Sequence, residues 1–334
     1  MKRTPIIYII LVSLFITALG FSFYFYKQSQ QFDRQITRGI SAKEDLPRYH
    51  FVLIGEEMNH DYWRLVGEGA KEIELKYDVF VEYVGPQRSN PEEQLKLLDI
   101  AIKSKVDGII VQALSDEFTP IINKAVKEGI PILTIDTDAS ESLRNAYIGT
   151  DNYLAGQLAG EALVESMNGQ ATVGIITGSF TNAHHQLRVK GFKDAVEKVE
   201  GIEIVAVEES NITKVEAEEK AYEILNEHDN ITAFYGTSSY DGVGIVAAAK
   251  SLNKLDSLYV IGFDPLTENI QLLEKGDLDA IVEQQPFEMG YKSIELMLDI
   301  INEKSVQDTY HTDASIIRVS NLDLWKSQRM NPHD

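Results

Sequence analysis

Side chains able to bind or react gather in this sequence where short apolar runs end. Those places read Asn59-His60-Asp61-Tyr62-Trp63, Asp136-Thr137-Asp138, Gly178-Ser179-Phe180-Thr181-Asn182, Gly236-Thr237-Ser238-Ser239-Tyr240-Asp241, Asp264 and Gln284-Gln285. Carboxylates, amides, hydroxyls and aromatic rings dominate, and catalytic types are scarce. Such a mixture suits a polyhydroxylated ligand, whose hydroxyls need donors and acceptors together while the C–H face of a ring packs against Tyr or Trp. G-x-x-x-x-G-K-[ST], G-x-S-x-G and H-E-x-x-H do not occur, so neither phosphate cradling, a nucleophile elbow nor a zincin site is indicated. His184 and His185 are neighbours, and side chains one residue apart on a helix diverge too far to chelate one metal. The pair is expected to face solvent or a loop, with no metal and no cofactor.

One match is a decoy. Gly242-Val-Gly244-Ile-Val-Ala247 fits G-x-G-x-x-A, with Asp264 about twenty residues further on, as a dinucleotide fingerprint requires. In that fingerprint the first glycine follows the strand directly, so that pyrophosphate meets the helix N-terminus. Here residues 236–241 intervene, and both glycines fall inside the next helix.

The elements that must position these residues follow a rhythm. Apolar runs at residues 49–55, 79–84, 108–112 and 131–135 alternate with helical-period segments. In one of these, Asn90-Pro91 supplies an N-cap and an N1 proline, and Leu95, Leu98 and Ile102 then share a face. The rhythm restarts after Gly149 with runs at 172–177, 202–207, 232–235 and 258–261, and Phe192, Ala195, Val196 and Val199 mark an intervening helix. Near-continuous apolar strands between helices predict parallel sheets covered on both faces. The fold class is α/β, with two doubly wound lobes whose ligands bind beyond the carboxyl ends of the strands.

Composition narrows the partners. The 334 residues include 31 Lys and Arg against 52 Asp and Glu, a formal charge of −21. Nucleic-acid binding draws its affinity from clustered cations, so that class is excluded. The absence of cysteine removes disulfides, thiolate metal sites and cysteine nucleophiles. Residues 6–26 carry no charge and are apolar or aromatic apart from Ser13, Thr17, Gly20 and Ser22. About twenty such residues span a bilayer, and the aromatic run at 21–26 belongs at an interface. A cleaved signal peptide is the rival, but its apolar region is shorter. Lys2 and Arg3 place the N-terminus in the cytoplasm and the body outside. Residues 1–27 are therefore expected to be a transmembrane anchor or signal segment, and 28–47 a polar stalk.

From Arg48 to Arg318 the ordered motifs resemble the sugar-type periplasmic solute-binding proteins. Asn59-x-x-Tyr62-Trp63 is similar to that family's Asn-x-x-Phe-Phe/Trp segment. Val106-Asp107-Gly108-Ile109-Ile110-Val111, Gly129-Ile130-Pro131, Arg188-x-x-Gly191-Phe192, Val260-Ile-Gly-Phe-Asp264 and Ile281-Val-Glu-Gln-Gln285-Pro286 follow in the family's order. The resemblance implies that Asn59, Asp136, Arg188, Asp264 and Gln284 meet the ligand, with Tyr62 and Trp63 stacking on it and Thr237 or Ser238 replacing a common Asn. Asp136-Thr137 stands where the family often has Asp-Arg, and the loop at 236–241 is one residue longer than usual. A three-segment hinge is also implied, near Gly149-Thr150, Gln284-Gln285 and residues 311–313. It divides the body into lobe 1 (48–149 plus 285–311) and lobe 2 (150–284 plus 312–326).

The expected protein is not an enzyme. It is an extracytoplasmic, single-pass, membrane-tethered solute-binding protein that closes on a sugar-like ligand and delivers it to an ABC permease. The alternative output is sensing with a membrane histidine kinase or chemoreceptor, since a tether raises the effective concentration at any membrane partner. A sugar-responsive repressor with these lobes would need a basic helix-turn-helix in place of the uncharged N-terminal span.

Overall fold

The computed structural model describes residues 21, 27, 47–74 and 76–330. The span expected at residues 6–26 therefore lies outside the described residues, apart from Phe21. No helix among the described residues is long and apolar enough to cross a membrane. The chain divides into two units, one ending at Arg48 and the other beginning at Tyr49. The second unit holds every strand among the described residues.

Its first half runs β1 (Tyr49–Ile54), α1 (Asp61–Glu74), β2 (Val79–Val84), α2 (Pro91–Ser104), β3 (Gly108–Val111), α3 (Phe118–Lys127), β4 (Ile132–Ile135) and β5 (Ala146–Thr150). Next come α4 (Asn152–Ser166), β6 (Ala171–Thr177), α5 (Ala183–Val196), β7 (Ile202–Glu209), α6 (Lys214–Glu227), β8 (Ala233–Gly236), α7 (Asp241–Ser251), β9 (Tyr259–Phe263), α8 (Thr267–Lys275) and β10 (Ala280–Glu283). The chain ends with α9 (Pro286–Ile301), β11 (Thr309–Thr312), β12 (Ser315–Ile317) and α10 (Leu322–Met330).

Two six-stranded sheets result, ordered β11-β5-β4-β3-β1-β2 and β12-β10-β9-β8-β6-β7. All pairings are parallel except β10 with β12. Strands β3, β4 and β5 are buried along their whole length, as a sheet covered by helices on both faces demands. Phe51, Leu53 and Leu133 join one core and Val52, Ile54 and Ile132 the other, so alternate residues serve opposite faces of the first sheet. The second sheet does the same, with Phe234 and Ile281 on one face and Tyr235, Ile261 and Phe263 on the other.

Asn90 caps α2 by accepting from the Glu93 amide at 3.1 Å, with Pro91 at the first helical position. Two features differ from the sequence reading. The crossing expected near Gly149-Thr150 follows on the last residues of β5, which was not read as a strand, and Val199 lies beyond the end of α5. Between the sheets the chain passes at Asp151, at Gln284-Gln285 and between Thr312 and Ser315.

On each sheet one helix pair meets through reciprocal glycines. A Cβ on Gly69 of α1 would lie 1.9 Å from the Phe287 carbonyl oxygen, and one on Gly290 of α9 would lie 1.9 Å from that of Val66. In the second half Gly156 of α4 and Gly191 of α5 are reciprocal in the same way, at 2.1 Å from the Arg188 oxygen and 2.0 Å from the Tyr153 oxygen. Only glycine permits this approach. The second clamp fixes the turn of α5 that bears Arg188.

Candidate functional site

At the carboxyl ends of β4 and β9 the backbone turns through left-handed geometry at an aspartate, Asp136 with φ 63° and Asp264 with φ 61°. Aspartate tolerates this region better than most residues, and strain of this kind concentrates at functional sites. Both bends are braced from behind. Tyr147 donates from its hydroxyl to the Asp136 carbonyl at 2.9 Å. Asn269 donates to the carbonyls of Ser239, Phe263 and Asp264 at 2.8, 2.9 and 2.9 Å. The two carboxylates thus occupy corresponding positions in the two sheets and line one chamber.

That chamber is narrow, with a volume of about 50 Å³, room for a few waters. Its lining includes Tyr62, Trp63, Asp136, Arg188, Ser238, Asp264 and Gln284. Asp136 accepts from Gln112 Nε2 at 2.8 Å and from the Tyr62 hydroxyl. Asp264 accepts from the Ser239 hydroxyl at 2.5 Å and from Gln284 Nε2 at 2.8 Å. Arg188, 3% exposed, is held by neutral acceptors: Asn152 Oδ1 at 2.8 Å, the Thr237 carbonyl at 2.8 Å and Gln284 Oε1 at 3.0 Å. Its guanidinium carbon lies 3.9 Å from the centre of the Phe263 ring. Those bonds use three of five N–H donors, leaving two for a ligand. Burial raises the Asp264 carboxyl above its usual range, and the Arg188 charge opposes that rise.

The loop after β8 is pinned by Asp241, which is fully buried and accepts from the amides of Thr237 and Ser238 at 3.0 and 2.7 Å and from the Ser210 hydroxyl at 2.6 Å. Burial pushes this carboxyl up to about 6. Ser238 is thereby held in the chamber lining.

Two expected residues stand apart from this group. Thr237 is buried behind the wall, where its hydroxyl meets Thr177 Oγ1 at 3.0 Å and His185 Nδ1 at 2.9 Å, so its role is to support Ser238 and Arg188. Asn59 is exposed at the rim and donates to Gln87 Oε1 at 2.8 Å. The tight turn before α1 points its side chain along the rim and leaves its neighbour His60 to line the chamber. Asp138, another strand-end carboxylate, is committed to structure, since Arg144 grips it through Nε at 2.5 Å and Nη2 at 2.7 Å.

The histidine pair corrects the sequence reading. His184 and His185 are 5% and 2% exposed, with ring centres 4.2 Å apart, and both line the chamber. Burial, with Arg188 nearby, lowers His184 to about 4, so the ring is neutral at pH 7. Helical divergence sends the two rings to different partners. His185 turns back to Thr237, while His184 Nδ1 meets Thr137 Oγ1 at 2.8 Å. Thr137 Oγ1 also lies 3.2 Å from Asp136 Oδ2. The Thr137–His184 bond links the half of the molecule built on the first sheet to α5 on the second. Glu56, Glu57, Ser89, Ile212 and Ser239 complete the lining. Glu56 accepts from Ser89 at 2.7 Å, yet burial raises it to about 7. Its place directly after β1 and Gly55 was the available signal.

Carboxylates from both halves, a guanidinium with spare donors, a serine hydroxyl and the rings of Tyr62 and Trp63 are groups whose chemistry suits hydroxyls. No group of three or more metal-ligating side chains is assembled among the described residues.

Comparison with known proteins agrees with this architecture. A family model described as a periplasmic binding protein domain matches residues 51–305. The D-ribose/D-allose-binding protein of Pseudomonas aeruginosa is 24% identical over 260 residues, 75% of this chain and 81% of that protein. Among solved structures, GanP, a glucose-galactose binding protein from Geobacillus stearothermophilus, is 51% identical with a TM-score of 0.80, covering 82% of this chain and 98% of that one. A complex of XylFII with LytSN is 35% identical, with a TM-score of 0.78 and coverage of 81% and 98%.

Proposed function

The chain belongs to the periplasmic binding protein family, a family of solute-binding proteins rather than enzymes, and from that premise we propose that it captures a monosaccharide by closing its two lobes. The observation that carries this reading is the pair of strand-end aspartates, Asp136 and Asp264, lining one chamber together with Arg188. Each sugar hydroxyl donates to a carboxylate and accepts from the guanidinium or Ser238, and the ring face packs on Tyr62 or Trp63. Glucose and galactose are the first candidates, supported by the 51% identity to GanP. The ligand touches residues of both lobes, so it favours the closed form by what the second lobe adds.

In this reading residues 6–26 hold the body at the outer face of a membrane, a role supported by their uncharged length. The output is presentation of the closed form to a membrane sensor kinase. Its support is the 35% identity to XylFII in a complex with LytSN. Delivery to an ABC permease is the second reading, served equally by a tether. A deletion that abolishes uptake of labelled sugar favours delivery. One that spares uptake and abolishes sugar-induced transcription favours sensing.

The absence of cysteine makes closure directly measurable. With cysteines at exposed Lys103 and Glu219 carrying a donor and an acceptor dye, glucose or galactose is expected to raise energy transfer to a plateau. Unchanged transfer over the whole sugar range refutes capture by closure.

A further inference from the structure

The cleft continues past the sugar chamber. Beyond Asp136 and His184 lies a second space of about 330 Å³, which shares those two residues with the first. Its other walls include Thr137, Ser140, Tyr147, Thr150 and His311 from the first lobe, and Ala183 and Leu187 from α5 of the second. The partition between the two spaces is the Thr137–His184 hydrogen bond, 2.8 Å long. A neutral bond of this kind contributes little net free energy and is readily exchanged for a bond to a ligand hydroxyl.

The chemistry on the far side repeats that of the near side. Thr150 lines this space, and its hydroxyl, which has no partner, lies buried just behind the surface. Tyr147 and His311 meet edge to face with ring centres 6.2 Å apart, and Leu187 adds an apolar surface that is 42% exposed. Hydroxyl groups beside rings and an apolar side chain suit another sugar ring. The near chamber is closed down to about 50 Å³, so most of the free room in the cleft lies beyond the bridge.

We propose that this space is a second saccharide subsite, continuous with the first, and that the protein accepts a disaccharide whose second unit passes the Thr137–His184 bridge. The inference deepens the sugar-capture reading and rests on it.

The test is calorimetric titration of the full chain with glucose and galactose, and then with lactose, cellobiose, maltose and β-1,4-galactobiose. At least one disaccharide is expected to bind tenfold or more tightly than the better monosaccharide. Ala183→Trp and Ser140→Trp, both at exposed positions lining only the second space, fill it from opposite walls. Each is expected to remove that advantage while leaving monosaccharide affinity within twofold, and thermal denaturation of each variant verifies its fold. If no disaccharide outbinds the monosaccharides, or if the tryptophan variants weaken both classes alike, the second subsite is refuted and sugar capture stands. If no sugar binds at all, the capture reading itself fails, and the subsite with it.

Discussion

Glu56 is a carboxylate that the fold holds at a cost, and that cost is measurable. Its carboxyl rises from 4.5 to about 7, chiefly through burial, with the Asp136 charge adding to the rise and the Ser89 hydrogen bond opposing it. Between those two values the folded state binds the proton more tightly than the unfolded chain. Stability contributed by this group therefore falls as pH rises through the window and is lost above pH 7. Linkage between the two values puts the cost at about 1 kcal/mol at pH 5 and about 3 kcal/mol at pH 8. Glu56→Gln removes the titration while keeping an oxygen for Ser89. The variant is expected to gain about 2 kcal/mol on the wild type between pH 5 and pH 8, or roughly 3–4 °C in Tm for a body of this size. Differential scanning calorimetry of unliganded wild type and variant at both pH values reads that difference directly. Asp241, also raised, and His184, lowered, titrate in both proteins and cancel. Equal pH slopes for wild type and variant would refute the burial argument for Glu56.

Other perturbations separate binding from folding. Asp264→Asn should weaken sugar binding more than tenfold in calorimetry without lowering Tm, because it removes a charge-assisted bond worth ~1.5–3 kcal/mol and relieves a buried charge. Arg188→Ala should lose at least as much affinity and also lower Tm, since three buried acceptors lose their donor; a variant with normal affinity would exclude this residue from the site. Thr137→Val removes the bond between the lobes and should lower energy transfer in the unliganded dye-labelled protein, whereas an unchanged value would deny the bond any part in closure. Gly156→Ala should cost about 1–3 kcal/mol by overpacking and weaken sugar binding without touching the ligand, because it pushes on the turn carrying Arg188; wild-type affinity would show that this clamp does not position the arginine.

The lobes were legible because parallel strands buried on both faces leave apolar runs that no other element explains. Strands β5 and β11 were not read, since Ala146–Thr150 and Thr309–Thr312 mix glycine, threonine, tyrosine and histidine rather than forming an apolar run, and β12 is only three residues long, Ser315–Ile317. Asp136 and Asp264 stood out because an aspartate directly after such a run marks where the backbone must turn. The supporting shell was invisible: nothing local in the sequence tells that Asn269, from the next helix, ties three carbonyls, or that Tyr147 braces Asp136 from β5. The histidines were misjudged for a physical reason. Divergence along the helix excludes shared chelation, but it equally allows one ring to reach across the cleft and the other to turn back. Thr237 and Ser238 were both named, and a single peptide step separates the wall from its support.

The central claim is that Asp136, Arg188 and Asp264 form a sugar site completed by closure, and direct calorimetric titration of the full-length chain with galactose and glucose tests it most simply. The account predicts saturable binding of one sugar per chain. Free sugar at 100 times Kd then adds ~2.7 kcal/mol to the folded state, an upward shift seen in the same sample by thermal denaturation. No heat of binding and no thermal shift with any hexose, pentose or hexose disaccharide would contradict it.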